Sequence, residues 1–183
     1  TQDGLCKMEK KDRKISRVED LRYLRINEIV ADPSYVWVAT SKGVFVLERA
    51  KGEWGRLESP DQSLGLGTNS ILLDGREAWF GTRRKGVLVY RGEEGGWQSY
   101  RAPLHLPTNE VLCLAGDKAN LWAGTPSGLW RLNRETGDWT TYTTADGLVS
   151  DRVEGILIVG DYVYFGTPKG LTRFWWKDPF LTY

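Results

Sequence analysis

The sequence has little of what marks several large classes of protein. Its 183 residues include two cysteines, one methionine and one histidine. Cys6 and Cys113 are too few for a disulfide framework and lack the spacing of zinc ligands, so we expect two small, buried, apolar side chains. No run approaches the roughly 18 apolar residues of a membrane span, and no secretory signal segment opens the chain. We therefore expect no direct insertion into a membrane.

Neither sign of charge dominates the composition. The chain has 25 basic and 24 acidic residues, which leaves a formal net charge of +1 at pH 7. This balance produces no overall field to attract a polyanion, so we expect no nucleic-acid partner.

Motifs of catalytic sites are also scarce. The sequence has no Gly-x-Ser-x-Gly, no His-Glu-x-x-His and no phosphate-binding glycine loop. The single histidine, His105, lies in a predicted loop, where it is either a ligand contact or general base, or a solvent-exposed side chain. We expect a noncatalytic protein with no cofactor and no metal site.

Glycine and tryptophan, in contrast, are abundant, with 21 and nine copies. This composition is typical of short strands joined by tight turns. Three sequence anchors recur in four copies. The first is a Thr followed by a Gly, at Thr40/Gly43, Thr82/Gly86, Thr125/Gly128 and Thr167/Gly170, with the threonines 42, 43 and 42 residues apart. The second is an aromatic residue, at Trp54, Trp97, Trp139 and Phe180; the third is a polar-x-aliphatic triplet, at residues 27–29, 69–71, 109–111 and 151–153.

The length of the repeat predicts its structure. Four strands of about five or six residues and four connections of about four or five come to roughly 42 residues, which is one four-stranded β-propeller blade. The spacing of apolar residues that a helical repeat requires is missing. In the first complete blade we predict strand A at 27–31, B at 35–40, C at 44–48 and D at 54–58, with the Thr and Gly anchor in the turn between B and C.

We thus predict an all-β fold, a β-propeller segment of four complete four-stranded blades behind the outer two strands, C and D, of a preceding blade. Residues 1–25 hold those two strands and a connector, and the blades span 26–68, 69–108, 109–150 and 151–183. An open ring would leave blade faces and strand edges exposed. We therefore expect further blades, either from residues outside this sequence or from a second chain.

The third copy resembles a known repeat. Residues 122–132, 137–142 and 146–153 are similar to the two-component-regulator propeller repeat, and the resemblance covers essentially the whole chain. Local departures are Ala39 in place of Gly, one inserted residue in the second B–C turn, and Tyr164 in place of Trp. The resemblance implies a bacterial periplasmic or extracellular ligand-binding module, commonly part of a sensor that detects glycans. The alternatives are a structural or assembly platform of a cell-surface or secretion protein, and a propeller lyase or hydrolase.

Candidate binding residues lie in the loops of one predicted rim. We expect the B–C turns and the loops between strand D and the next strand A to carry basic residues that either bind an anionic ligand, such as an acidic glycan, or are only solvated. The candidates are Lys42, Arg83, Arg84, Lys85, His105 and Lys169. Trp130 is not required by the repeat, so it either binds ligand or packs in the core.

Other repeated polar and aromatic residues have structural interpretations. The aspartates near the A–B turns are expected to cap those turns through backbone N–H groups; they are Asp32, Asp74, Asp117 and Asp161. Six tryptophans occupy equivalent positions and are expected to pack between blades; they are Trp37, Trp54, Trp79, Trp97, Trp122 and Trp139.

Overall fold

A computed structural model describes residues 3–102 and 108–176 of the chain. These residues form five antiparallel sheets, each built from strands that are consecutive in the sequence. A leading two-stranded sheet contains β1 (Leu5–Met8) and β2 (Ile15–Val18). It is followed by three four-stranded sheets and one three-stranded sheet, which we call blades 1 to 4.

The blades repeat the same A-B-C-D strand order. Blade 1 contains β3 (Ile26–Ala31), β4 (Tyr35–Thr40), β5 (Gly43–Glu48) and β6 (Glu53–Leu57). Blade 2 contains β7 (Thr68–Asp74), β8 (Glu77–Thr82), β9 (Val87–Tyr90) and β10 (Trp97–Tyr100). Blade 3 contains β11 (Cys113–Gly116), β12 (Asn120–Thr125), β13 (Gly128–Asn133) and β14 (Trp139–Tyr142). Blade 4 contains β15 (Gly155–Val159), β16 (Tyr162–Thr167) and β17 (Gly170–Trp175). The predicted D strand of blade 4, which would include Phe180, lies outside the described residues.

Short helical turns connect some of these strands. They span Glu19–Leu21, Ser63–Leu66, Gly92–Gly95 and Thr144–Asp146. In the part of the chain that the structure describes, no helix is both long and apolar enough to cross a membrane.

The Thr and Gly anchor forms the B–C turn, as predicted. In blade 3, the Thr125 hydroxyl donates to the Gly128 carbonyl at 2.8 Å and accepts from the Ser127 N–H at 3.1 Å. The same hydroxyl-to-glycine bond occurs in blades 1, 2 and 4. Gly128 has a φ of +128°, a backbone conformation that residues with a side chain rarely adopt. The anchor therefore recurs because each turn needs both a hydroxyl and a glycine.

The hydrophobic core is divided among the junctions between consecutive sheets. Separate clusters lie between the leading sheet and blade 1, between blades 1 and 2, between blades 2 and 3, and between blades 3 and 4. Trp79 and Trp122, at equivalent positions of strand B, are 2% and 0% exposed. The predicted packing of the repeat tryptophans between blades is confirmed at these positions.

The inner strands of the four blades lie side by side. Strand β3 contacts β7, β7 contacts β11, and β11 contacts β15. The A strands therefore converge on a common axis, and each blade's outer strands point away from it.

One sequence-based expectation is wrong and a second holds only in part. Cys6 is exposed and Cys113 is partly buried, so the two thiols are not both core side chains. They differ because Cys113 lies where blades 3 and 4 meet, whereas Cys6 lies in the leading sheet. The second expectation is that the aspartates near the A–B turns cap those turns. Asp32 and Asp117 each accept two backbone N–H bonds, as expected. The Asp74 carboxylate instead forms an ion pair with Arg134 of the next blade.

Candidate ligand site at the channel mouth

A polar pocket lies where all four blades meet. It has a volume of about 460 Å³ and is lined by residues at the inner strands and turns of all four blades. We call this pocket the channel mouth. Its main polar lining residues are Arg25, Asn27, Asn69, Arg83, Glu110, Arg152 and Glu154.

Two short backbone segments, residues 109–111 and 151–153, hold charged residues of this pocket in place. In residues 109–111, the Val111 N–H donates to the Thr82 carbonyl at 2.9 Å, and the Asn109 carbonyl accepts from the Gly86 N–H at 2.9 Å. Val111 is fully buried. Since side chains alternate along extended backbone, Glu110 is turned the other way, toward the channel mouth.

The second segment repeats this arrangement one blade later. In residues 151–153, the Val153 N–H donates to the Thr125 carbonyl at 3.0 Å, and the Asp151 carbonyl accepts from the Gly128 N–H at 2.8 Å. Val153 is also fully buried, and Arg152 between these two residues lines the channel mouth. In these two copies the triplet ties one blade to the next and its middle residue lines the channel mouth. In the first two copies the middle residues, Glu28 and Ser70, instead accept from the Ile71 and Leu114 N–H groups of the following blade.

Asparagine side chains join the blades on the inner side. The Asn27 Nδ2 atom donates to the Thr68 carbonyl at 2.7 Å, and the Asn69 Nδ2 atom donates to the Val111 carbonyl at 2.8 Å. Both amides are thereby fixed at the wall of the pocket. This role explains the polar first residue of the first two triplets, whereas Asn109 and Asp151 of the other two accept from the Ala102 and Thr144 N–H groups.

A glycine makes room for Arg83. A Cβ atom at Gly67 would lie 2.8 Å from the Arg83 Cδ atom and 3.0 Å from the Ser41 carbonyl oxygen. Gly67 also has a φ of +101°, and its carbonyl accepts from the Arg83 N–H at 3.1 Å. The stem of Arg83 therefore lies across the loop that enters blade 2, and the side chain lines the channel mouth.

The charges of the channel mouth do not cancel. Arg152 pairs with Glu154, with 2.7 Å between Nε and Oε1. This leaves Arg25 and Arg83 with Glu110, and neither arginine forms an ion pair within the described residues. Two guanidinium groups in one polar pocket form an arrangement that suits a carboxylate or another anionic group.

The structure separates the basic residues that the sequence grouped on one rim. All four of Lys42, Arg83, Arg84 and Lys169 are exposed, but only Arg83 of these lines the channel mouth. His105 lies outside the described residues. Sequence reasoning missed Arg25, Glu110, Arg152 and Glu154. The sequence did contain a signal for Glu110 and Arg152. Both are the middle residue of a triplet, and this residue varies in charge from copy to copy while its neighbours repeat.

Lys85 lies in a different, shallow pocket between blades 1 and 2, together with Arg56, Asp61 and Gln62. Hydrogen bonds from Ser63 hold the pKa of the Asp61 carboxyl well below its usual range, against the effect of burial, and an ion pair with Arg101 lowers it further. Asp61 is thus ionised and already paired with Arg101. Arg56 and Lys85 of this pocket are balanced by Glu58 and Asp61, so it has no excess of positive charge and gives no comparable anion site.

Trp130 packs between blades 2 and 3. It lies against the hydrophobic cluster of that junction, and its ring centroid is 6.3 Å from that of Trp139. These contacts favour the core alternative for Trp130, which is not among the residues that line the channel mouth.

Metal ligands are not grouped in the described residues. Across 3–102 and 108–176, no cluster of three or more His, Cys, Asp or Glu side chains could hold a metal ion.

Comparison with known proteins identifies the fold. A scan against protein-family models finds no match, and neither does a search of the curated proteins. Among solved structures, two of the extracellular domain of BT4673 from B. thetaiotaomicron each match 94% of this chain. One describes the protein as a one-component system and the other as a hybrid two-component system. The TM-scores are 0.78 and 0.77 and the identities 21% and 20%, and this chain covers 25% and 24% of those structures.

Two further structures share the architecture. The surface component PorZ of the type-IX secretion system of Porphyromonas gingivalis matches 95% of this chain with a TM-score of 0.74 and 15% identity, and 29% of it is covered. The extracellular domain of the hybrid two-component system BT3049 from B. thetaiotaomicron matches 97%, with a TM-score of 0.56 and 17% identity, and 31% of it is covered.

The fold is a β-propeller. This chain spans about a quarter of the length of the solved domains that head the comparison. The extracellular domains of two-component systems among these structures are the type of protein that the resemblance of the repeat implies.

Proposed function

We propose that this chain is a noncatalytic ligand-binding part of an extracytoplasmic sensor propeller, and that the channel mouth binds an anionic group such as the carboxylate of an acidic glycan. The observation that carries the proposal is the position of Arg25 and Arg83, which line one pocket at the axis and form no ion pair within the described residues. Support for a sensor comes from the fold shared with extracellular domains of two-component systems. The same comparison supports a periplasmic or extracellular location.

The proposal includes further blades. The residue after each turn glycine is 0% exposed at Val44 and Val87 and 1% exposed at Leu129, but Leu171 is 63% exposed. The first three are covered by the following blade. We infer that Leu171 is covered by another blade, supplied by the same polypeptide or by a second chain.

The test is direct binding measured by isothermal titration calorimetry. Uronic-acid oligosaccharides are the probes, and neutral oligosaccharides of the same length are the reference. Arg25→Gln and Arg83→Gln should each weaken binding of the acidic probe by about tenfold, because each removes a charge-assisted hydrogen bond.

Arg84→Gln is the matched control, because Arg84 is exposed in the same turn as Arg83 but does not line the channel mouth. It should leave binding unchanged. Equal binding of neutral and acidic probes, or equal losses at Arg83 and Arg84, would contradict the proposed site.

The fold shared with PorZ favours a second candidate function, an assembly platform at the bacterial surface. The two functions can be separated in the natural host with a double substitution of Arg25 and Arg83 by Gln. A sensor would lose its transcriptional response to the glycan, whereas a platform would keep its function.

A further inference from the structure

A second pocket opens between blades 1 and 2, at the end of the strands opposite the B–C turns. Its volume is about 430 Å³, within the range of small-molecule sites. We call it the inter-blade groove. Its principal lining residues are Asp32, Tyr35, Trp37, Leu73, Arg76 and Tyr90.

The equivalent position between blades 2 and 3 is occupied by an arginine of the chain itself. Arg134 lies six residues after the turn glycine of blade 3. Its guanidinium carbon is 5.3 Å from the centroid of the Trp79 ring, and it forms an ion pair with Asp74. Trp79 is only 2% exposed as a result of this cover and its other contacts. Asp74 and Trp79 correspond in the repeat to Asp32 and Trp37.

A planar side chain also occupies this position between blades 3 and 4. Trp176, six residues after the turn glycine of blade 4, packs against the cluster that contains Trp122. Trp122 is 0% exposed. Two of the three junctions are therefore closed by a large side chain from the same repeat position.

Between blades 1 and 2 that side chain is missing. The corresponding residue of blade 2 is Gly92, which begins a short helical turn at a φ of +77°, and a Cβ atom there would meet no atom within 4 Å. Trp37 is consequently partly exposed and lines the inter-blade groove. The groove exists because the repeat position that closes its neighbours has no side chain here.

The charges in the groove leave one carboxylate for a cation. The Asp32 Oδ1 atom accepts from the Ser34 and Tyr35 N–H groups, while Oδ2 accepts from the Trp37 indole at 3.1 Å and from no other described residue. A carboxylate oxygen has room for a second donor. Asp32 forms no ion pair with any described residue.

The other charged lining residues are mostly engaged elsewhere. Glu77 is paired with Arg91, and the Arg56 guanidinium donates to the Lys42 carbonyl beyond the groove. Arg76 is exposed in the A–B turn at the edge of the groove. Against the effect of burial, hydrogen bonds from Trp37, Tyr35 and Ser34 lower the pKa of the Asp32 carboxyl, and Arg49 also lies close enough to help lower it. Arg76 and Arg49 are therefore the cations that a positively charged occupant would meet.

We propose that the inter-blade groove binds an arginine side chain presented by a partner polypeptide, with its guanidinium group over Trp37 and beside Asp32. The occupant would take the place that Arg134 takes at the next junction. A guanidinium satisfies both parts of the groove, because it stacks on an aromatic face and donates to a carboxylate. This site is separate from the channel mouth and does not depend on the glycan proposal.

Nuclear magnetic resonance with a minimal probe tests the proposal. N-acetyl-arginine amide is titrated into the ¹⁵N-labelled chain, and the indole N–H resonance of Trp37 is followed. N-acetyl-citrulline amide has almost the same shape without the charge. We expect the arginine probe to shift this resonance with an affinity about tenfold higher than that of the citrulline probe.

Substitutions of matched aspartates locate the effect. Asp32→Asn should weaken the arginine probe about tenfold, because it removes the charge beside Trp37. Asp117→Asn is the control: Asp117 caps the equivalent turn of blade 3 through the Ala119 and Asn120 N–H groups, so both variants change a turn cap. Only the first should lose binding. Arg76→Gln should keep or increase affinity, and Arg83→Gln, at the channel mouth, should have no effect.

A gain of function gives an independent check. Arg134→Ala should uncover Trp79, so that the probe now also shifts the Trp79 indole resonance. Equal binding of the arginine and citrulline probes would overturn the proposal, as would an unshifted Trp37 resonance at 100-fold excess of the arginine probe over the chain. If Arg134→Ala does not fold, the comparison of the two probes on the unmodified chain still decides the matter.

Discussion

Blades 3 and 4 carry the same turn and the same leucine after it, yet the two leucines have different surroundings. Leu129 is 1% exposed and lies in the cluster shared by blades 3 and 4, whereas Leu171 is 63% exposed. The hydroxyl-to-glycine bond of the turn is the same in both blades, 2.8 Å at Thr125 and 2.9 Å at Thr167. A blade thus forms its own turns and ladders but depends on the next sheet to bury its face. Stability in such an array resides largely in the interfaces between neighbours.

The largest expected effect comes from removing the leucine side chain at the two positions. Leu129→Ala should lower the free energy of unfolding by about 3 kcal/mol, because it removes buried apolar surface and leaves a cavity. Leu171→Ala should change it by less than about 0.5 kcal/mol in this chain, because the side chain is exposed. Urea unfolding of both variants measures the difference.

The comparison of the two leucine variants can be repeated in a longer polypeptide that includes a blade after blade 4. There Leu171→Ala should cost as much as Leu129→Ala, since both leucines would be covered. Equal costs in the present chain, or no cost at Leu171 in the longer one, would show that the following sheet does not bury this face.

Local chemistry explains which part of the fold could be predicted from the sequence. Each B–C turn needs a hydroxyl and a glycine within a few residues, so pairs such as Thr40/Gly43 and Thr125/Gly128 predict the turn from the sequence. The strand bounds follow from that anchor, and the predicted strand B at 35–40 coincides with β4 (Tyr35–Thr40).

The sites were harder to predict because they depend on contacts between blades. The stem of Arg83 lies against Gly67, whereas Lys85 of the same turn lines another pocket, and nothing in their sequence spacing distinguishes them. Asp74 lies at the same repeat position as Asp32 but pairs with Arg134, 60 residues further along the chain. Which carboxylate caps its turn and which binds a neighbour is decided by the residue that the next blade brings.

A smaller difference is expected when the turn hydroxyl is removed from the same two blades. Thr125 is 0% exposed, so Thr125→Val removes a buried hydrogen bond to the Gly128 carbonyl and a partly buried one from the Ser127 N–H. We expect a loss of about 2 kcal/mol in the free energy of unfolding. Thr167→Val should cost less than about 1 kcal/mol, because water can replace the hydroxyl there.

Urea unfolding of both threonine variants and of the unmodified chain gives this comparison. A loss at Thr167 equal to that at Thr125 would mean that the turn itself, rather than its burial by the next blade, determines the cost.

The smallest effect is expected from a change of pH and concerns the thiol at the closed junction. The Cys113 Sγ atom lies 3.7 Å from the Val153 carbonyl, and a Cβ atom at Gly124 would be only 2.4 Å from Sγ. Burial disfavours the thiolate and raises the pKa of Cys113 to about 12. The unfolded chain ionises near 8.5, so the stabilising contribution is complete below that pH and is lost as the pH rises above it.

Raising the pH from 7 to 9 should therefore cost about 0.8 kcal/mol through Cys113 alone. Cys113→Ala should remove that part of the pH dependence, while Cys6→Ala, which changes an exposed thiol, should retain it. The measurement is the free energy of unfolding of the three chains at both pH values. If Cys113→Ala keeps the full loss, the thiol already meets water in the folded chain. The junction between blades 3 and 4 would then open far more readily than the burial of Leu129 and Trp122 implies.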